Sequence, residues 1–162
     1  MPPKLATDLE TPSRRASDLS LVIDRSAHTI RMNRRFTAPR QSIFDAWTQP
    51  EQIACWWDPS GERLAECEID LRPGGAFRFA PRGAHGAPPF MGKYLEIAPP
   101  GKLVFEAMGA IGTVIFEDLD GATLMTVAIK CASEAHLEQF VALGVDVGTS
   151  QTLDNLVRHM AQ

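Results

Sequence analysis

The turn sequences between residues 65 and 130 constrain the fold of this chain more than any other feature. They are short and rich in proline and glycine, as at Arg72–Gly75, Pro99–Gly101 and Asp120–Gly121. Each lies between two runs of residues with the pattern or composition of a β-strand. Parallel neighbours in a sheet need a crossover of about a dozen residues or more, and these connections are far shorter. The segment therefore predicts an antiparallel sheet.

The strands follow from the period of the apolar residues. Within residues 65–71, apolar residues alternate with acidic ones, which is typical of a strand with one buried face and one wet face. Earlier in the chain, Thr29–Phe36 predicts a longer strand and Leu21–Ile23 a short β-like run. Residues 82–89 are rich in Gly, Ala and Pro and are predicted to form a loop. We expect a sheet of six to seven strands, whose other members are predicted at residues 77–79, 90–97, 103–108, 113–118 and 123–130.

Two short helices are predicted after the first long strand. Pro39 suits a helix entry because its φ is already helical and it has no N–H to leave unpaired. Apolar residues then recur at helical spacing over residues 40–48. Pro50 interrupts this helix and starts a second one, which we expect to end near Trp56 and Trp57.

The C-terminal segment is predicted to be helical from Ser133, a good N-cap residue, to Met160, because it contains no proline. At about 100° per residue, the apolar stripe of its first half is rotated by about 90° or more from that of its second half. A kink between Gly144 and Thr149 would bring both stripes onto the sheet, since glycine is a known cause of kinks. This helix is the only predicted element long enough to cover the apolar face of the sheet, which predicts an α+β domain.

The composition indicates the extent of the folded domain and limits its possible partners. Residues 1–18 combine prolines, charges and hydroxyl groups with few large apolar side chains, so we predict a flexible N-terminal tail and one domain over residues 19–162. The net charge of -4 provides no general attraction to nucleic acid or anionic lipid. No apolar run approaches the roughly 20 residues that cross a bilayer, and no secretory signal is recognisable. We expect a cytoplasmic protein, monomeric or homodimeric, with no membrane span and no nucleic-acid partner.

Several residues are suited either to an apolar binding site or to ordinary packing. Adjacent side chains on a helix diverge by about 100°, so we expect one of Trp56 and Trp57 to pack in the core and the other to line an entrance. Gly144 and Gly148 would either leave cavity volume or permit close packing of helix on sheet. The aromatic and flexible side chains suited to an irregular pocket or to the core are Phe77, Phe79, Phe105, Met108, Phe116, Met125 and Phe140.

The sequence indicates no catalytic residues, no cofactor and no metal. Glu106 is the best polar candidate, and as a strand carboxylate we expect it to face solvent rather than a pocket. Arg72–Gly75 lacks the Gly-Lys-Ser/Thr that follows in a phosphate loop. The histidines lack metal-binding spacing, and Cys55, Cys67 and Cys131 are expected to be reduced thiols packed as small apolar groups. No catalytic set can be assembled by spacing from the other candidates, Glu68, Arg78, Lys93, Tyr94 and His136.

Several motifs, taken in order, resemble one protein family. They are Phe36–Arg40, Phe44–Glu51 with Trp56-Trp57, Glu68–Gly75, Glu96–Phe105, and Gly144–Gly148 with Leu153–Leu156. Over roughly residues 28–161 the chain resembles proteins similar to the activator of the ninety-kilodalton heat-shock-protein ATPase, within the START-like (SRPBCC, helix-grip) superfamily. The resemblance implies a helix-grip fold, in which a curved antiparallel sheet wraps around a long C-terminal helix. The chain departs from the common pattern at Asp58, where many relatives have glycine, and at Thr149, where one branch has an aromatic residue.

The resemblance implies function only in outline. Members of the superfamily hold lipids, polyketides or other apolar molecules between sheet and helix, so our first hypothesis is non-enzymatic binding of a small apolar or amphipathic ligand. The second is a chaperone-associated interaction domain that activates an ATPase, as the family name implies. The third is a polyketide cyclase-like or hydrolase-like enzyme, which would need a perturbed titratable group in the cavity. For the first hypothesis the ligand-binding residues would be Trp57, Phe77, Phe79, Phe105, Met108, Phe116, Phe140, Gly144 and Gly148.

Overall fold

The computed structural model describes residues 20–83 and 88–162. The predicted tail over residues 1–18 lies outside the described residues, as does part of the loop predicted at 82–89. The strands are β1 (Ser20–Asp24), β2 (Thr29–Phe36), β3 (Glu66–Ile69), β4 (Ala76–Ala80), β5 (Phe90–Ala98), β6 (Lys102–Ala107), β7 (Ala110–Leu119) and β8 (Ala122–Lys130). The helices are α1 (Arg40–Thr48), α2 (Pro50–Trp56), α3 (Glu134–Ala142) and α4 (Val145–Met160).

The strands form one curved antiparallel sheet in the order β1-β2-β8-β7-β6-β5-β4-β3. The predicted antiparallel arrangement and the α+β helix-grip fold are confirmed. Among the described residues the sheet has eight strands rather than six or seven, because the short run at Leu21–Ile23 extends into a full strand that pairs with β2 along its length. β2 pairs with β8 from Thr29 opposite Lys130 to Phe36 opposite Thr123. This pairing places the first long strand beside the last strand, which leads directly into the C-terminal helices.

The junction of α1 and α2 is held by a tryptophan. Inside a helix the carbonyl of Ala46 would accept from the N–H of residue 50, but residue 50 is a proline and has none. The indole Nε1 of Trp56 donates to the Ala46 carbonyl instead, at 3.0 Å. Trp56 is fully buried, and its ring packs edge-on against Trp47 with centroids 4.9 Å apart. Trp56 therefore fills the core and satisfies a carbonyl that the sequence leaves without its helical partner.

The C-terminal helix is broken rather than continuous. α3 ends with Leu143 as its C-cap, and α4 begins after Gly144, which has φ +78 in the left-handed region that favours glycine. The predicted change of direction is confirmed at the N-terminal end of the expected interval. The Ser133 cap is confirmed as well, since its Oγ accepts from the N–H of His136 at 3.1 Å. The break lets α3 and α4 each turn their own apolar stripe to the sheet.

A buried arginine fixes α4 on the sheet. Arg34 of β2 is 3% exposed, and its guanidinium donates to the carbonyl and hydroxyl oxygens of Ser150, both at 3.1 Å, and to Asp154 at 3.2 Å. Burial lowers the pKa of Arg34, but an arginine keeps its charge at any ordinary pH. α4 is therefore held by charge-assisted hydrogen bonds as well as by the apolar residues Leu153 and Leu156.

No helix in the described part of the chain is both long enough and apolar enough to cross a lipid bilayer.

Candidate functional site

A cavity of about 320 Å³ lies between the sheet and the first half of α4. Its walls come from Trp47 of α1, from the segment after α2, from strands β4 to β8, from the end of α3 and from one face of α4. Cavities that hold small ligands have volumes of about 300 to 1,000 Å³. The space is therefore of a size that a small organic molecule would fill.

The two adjacent tryptophans separate as the helix geometry requires. Trp56 points into the core, whereas Trp57, the C-cap of α2, lines the cavity. The Trp57 ring packs against two phenylalanines of the sheet, with centroid distances of 4.9 Å to Phe79 and 5.2 Å to Phe90. Of the two alternatives for this pair, the structure shows one tryptophan packed and the other on the cavity wall.

A glycine of β7 makes room for one aromatic side of the cavity. Phe105 of β6 lies directly opposite Gly112 in the register. A Cβ atom at position 112 would lie 2.6 Å from Cζ of Phe105, which real atoms do not tolerate. The ring therefore lies across the bare backbone of β7 and forms part of the wall.

The predicted site residues divide into two groups. Three lie outside the cavity wall, and each has a structural reason. Phe77 lies behind the wall, where its ring stacks on that of Phe79 with centroids 5.1 Å apart. Phe116 packs edge-on against Phe44 of α1, with ring centroids 5.7 Å apart. Gly144 is the N-cap of α4 and has a left-handed backbone conformation. The predicted residues that line the cavity are Trp57, Phe79, Phe105, Met108, Phe140 and Gly148.

Several residues of the wall are not among the predicted ligand-binding residues. Phe90 opens β5 directly after the proline-rich loop, and Asp58 and Thr149 flank the cavity from the segment after α2 and from α4. The signal for the two polar residues was present, because both are departures from the resembled family pattern. Their position on the same cavity follows only from the packing of α4 beside α2.

Hydrogen bonds between α4 and the end of α2 stabilise the polar side of the cavity. The hydroxyl of Thr152 donates to the carbonyl of Trp57 at 2.9 Å. Asn155, which is 7% exposed, donates its side-chain amide to the carbonyl of Asp58 at 2.9 Å and to that of Trp56 at 3.4 Å. These bonds satisfy carbonyls at the end of α2 that have no further helical partner, and they hold this edge of the cavity against α4.

The other polar candidates lie away from the cavity wall. Glu106 is half exposed and lies 3.7 Å from the ammonium of Lys93, its cross-strand neighbour, as expected for a residue on the wet face. Burial raises the pKa of Tyr94 far above its usual range, so its hydroxyl stays protonated. Within the described residues no group of three or more His, Cys, Asp or Glu side chains is placed to hold a metal ion.

The three cysteines are free but differ in exposure. Cys131 is buried and Cys67 is partly buried, as expected for packed thiols. Cys55 is exposed instead, on the outer side of α2, where a guanidinium nitrogen of Arg63 lies 3.0 Å from its sulfur. Burial, with a smaller contribution from Glu51, raises the pKa of Cys67 to about 11, and burial also raises the pKa of Cys131.

We expect iodoacetamide at pH 8 to modify Cys55 at least about ten times faster than Cys67 or Cys131. The thiolate is the reacting form, and a pKa of about 11 leaves about one Cys67 thiol in a thousand ionised at that pH. Peptide mass spectrometry over a time course measures the three rates, and urea-unfolded protein, with all three thiols accessible, is the control. Equal rates for Cys55 and Cys67 in the folded protein would contradict the burial described here.

Comparison with protein families identifies the chain's relatives. The model of one family, described as Activator of Hsp90 ATPase homolog 1-like protein, matches residues 37–161. This is well over half of the chain. The chain belongs to the Activator of Hsp90 ATPase homolog 1-like family. All cavity residues named above, from Trp47 to Thr152, lie within the part that matches this family.

Solved structures support the fold of this Activator of Hsp90 ATPase homolog 1-like chain. A protein from Rhodobacter sphaeroides is similar with a TM-score of 0.78 and 20% identity, over 88% of this chain and 97% of the other. One from Nitrosomonas europaea has a TM-score of 0.76 and 19% identity, over 85% and 96%. CalU16 from Micromonospora echinospora has a TM-score of 0.60 and 26% identity, over 82% and 75%. No curated protein matches the chain.

Proposed function

We propose that this protein binds a small apolar or amphipathic molecule in the cavity between the sheet and the C-terminal helices, without catalysing a reaction. The observation that carries the proposal is the cavity of about 320 Å³ with mostly apolar walls. The cavity is partly open to solvent, so apolar side chains of its walls contact water. A bound apolar molecule would remove this surface from water, which is favourable by about 25 cal/mol for each Å².

The wall has the chemistry of a binding site for an apolar molecule. Its aromatic side, formed by Trp57, Phe79, Phe90 and Phe105, offers ring faces and edges to a ligand. Met108 and Phe140 border it from the β6–β7 turn and from α3. Asp58 is the one ionisable side chain among the lining residues that the structure describes. A single carboxylate supplies no acid and base pair, which favours binding over catalysis.

Gly148 allows the proposal to be tested by filling the cavity. A Cβ atom at this position would meet nothing nearer than Cγ of Pro59, at 3.9 Å. Gly148→Ala is therefore the matched control, and we expect it to fold with equal or higher stability because alanine favours a helix by up to about 1 kcal/mol over glycine. Gly148→Leu would extend a side chain into the cavity.

We expect Gly148→Leu to weaken binding of 2-methylnaphthalene at least about tenfold, and Gly148→Ala to change it no more than about threefold, because only leucine occupies the ligand's volume. The indole N–H signals of Trp47, Trp56 and Trp57 in two-dimensional NMR spectra report the titration. Native mass spectrometry of the protein as purified would identify a molecule that remains bound. Thermal unfolding shows whether each variant is folded.

Two results would contradict the proposal. One is a wild-type protein that binds neither 2-methylnaphthalene nor any co-purifying molecule, and the other is equal affinity in the wild type and Gly148→Leu. If such a protein instead raised the ATPase rate of a chaperone, the chaperone-associated function implied by the family description would replace ligand binding.

A further inference from the structure

Asp58 and Thr149 give the cavity a polar edge whose chemistry favours one class of ligand. We propose that the cavity selects molecules in which an apolar body ends in a hydrogen-bond donor, a hydroxyl or a protonated amine, and that it rejects molecules ending in a carboxylate. This inference rests on the proposed binding function and specifies which ligands the same cavity takes.

Asp58 lines the cavity, and hydrogen bonds hold it in place. The backbone carbonyl of Asp58 accepts from the side-chain amide of Asn155 and from the N–H of Gly61, both at 2.9 Å. Its Oδ2 accepts from the hydroxyl of Ser60. The second carboxylate oxygen accepts no hydrogen bond from the part of the chain that the structure describes, and no ion pair formed within that part includes Asp58. Asp58 therefore has a negatively charged acceptor to offer a ligand.

Thr149 lies on the helix that faces Asp58. It follows Gly148, whose position is close to Pro59, the neighbour of Asp58. One turn further along α4, the hydroxyl hydrogen of Thr152 is committed to the carbonyl of Trp57. The Thr149 hydroxyl makes no such bond within the described residues, and Thr149 lines the cavity. A ligand hydroxyl could therefore donate to Asp58 and also bond with Thr149.

Charge separates the ligand classes. A ligand carboxylate would enter a space with aromatic walls of low dielectric constant. Among the described residues that line this space, the one ionisable side chain is the carboxylate of Asp58. Like charges at close range repel more strongly in such surroundings than in water. A protonated amine would meet the opposite charge at Asp58 and the aromatic face of Trp57, both of which attract a cation. A hydroxyl would gain the hydrogen bond without the cost of desolvating a full charge.

A matched series of naphthalenes tests the preference. The probes are 2-methylnaphthalene, 2-naphthylmethanol, 2-naphthylmethylamine and 2-naphthoate, which share one apolar body and differ in the head group. At pH 7 we expect the alcohol and the amine to bind more tightly than 2-methylnaphthalene, and 2-naphthoate to bind at least about tenfold more weakly than the amine. Dissociation constants come from NMR titration of the indole N–H signals.

The variant Asp58→Asn tests whether the carboxylate of Asp58 causes the preference for amine over carboxylate ligands. This variant keeps the shape of the side chain and the backbone carbonyl that Asn155 holds, so we expect it to fold, and its affinity for each probe is compared with its own affinity for 2-methylnaphthalene. We expect the ratio of amine to carboxylate affinity to fall at least about tenfold. Glu117→Gln, on an exposed position of β7, removes one negative charge away from the cavity and should leave the ratio unchanged.

The outcomes separate this inference from the proposed function. Failure of 2-methylnaphthalene to bind would overturn the proposed function itself. If 2-methylnaphthalene binds but the wild type takes 2-naphthoate as tightly as the amine, or if Asp58→Asn and Glu117→Gln change the ratio equally, the cavity still binds apolar molecules and the selectivity proposed here is wrong.

Discussion

Replacing Gly92 with alanine is expected to destabilise the protein by about 3 kcal/mol, at the upper end of the usual cost of overpacking. A Cβ atom at position 92 would lie 2.2 Å from the backbone oxygen of Glu106 and 2.6 Å from Cζ of Phe77. The first of these is backbone and cannot rotate away, so β5 and β6 would have to separate. Gly92 lies opposite Phe77 in the register, and that ring occupies the space above the bare backbone.

Urea unfolding followed by circular dichroism measures the effect. Gly148→Ala is the matched control, because it adds the same methyl group where the nearest atom outside its own helix is 3.9 Å away. We expect the control to be as stable as the wild type or more so. A Gly92→Ala protein of wild-type stability would show that β5 and β6 do not pair as described.

Trp56→Ala is expected to have the largest effect on the helical side of the core, a loss of about 3 to 5 kcal/mol. The side chain is fully buried, and its removal deletes the packing against Trp47 and the hydrogen bond to the Ala46 carbonyl. Its removal leaves that carbonyl without the helical donor as well, because residue 50 is a proline and has no N–H. Trp56→Phe should be intermediate, since it keeps an aromatic ring but loses the hydrogen bond.

The neighbouring tryptophan provides the contrast. Trp57→Ala should cost less than half as much stability as Trp56→Ala, because Trp57 is only partly buried and borders the cavity. It should instead change the binding of 2-methylnaphthalene. Thermal and urea unfolding of the three variants decide the order. Equal losses for Trp56→Ala and Trp57→Ala would contradict the different positions of the two rings.

Much of the fold could be predicted because its signals are local. Alternation of apolar and acidic residues over 65–71 and short turns such as Arg72–Gly75 act through neighbouring residues, and both indicate an antiparallel sheet. The Ser133 cap and the change of direction near Gly144 are also local, since they depend on a side-chain oxygen and on a missing Cβ. The eighth strand was underestimated because Leu21–Ile23 is short, and its stability comes from pairing with β2.

The candidate site could be predicted only in part. Aromatic residue type identifies Phe105 and Phe116 equally well as candidates, yet one lines the cavity and the other packs on Phe44 of α1. The difference depends on which element covers each stretch of the sheet, and no spacing in the sequence records that. Phe77 and Phe79 are two residues apart on the same face of β4. For the same reason, Phe77 lies behind the cavity wall and Phe79 lies on it.

By itself, the sequence determined the antiparallel sheet, the two short helices, the capped and bent C-terminal helical segment and the divergence of Trp56 and Trp57. These follow from chain stiffness, side-chain period and turn chemistry, which act over a few residues. The tertiary structure alone decided that Trp56 replaces the donor missing at Pro50, and that Asp58 and Thr149 line one cavity. The first arrangement joins residues ten apart and forms where α1 packs against α2. The second joins residues far apart in the chain, which meet only because α4 packs beside α2.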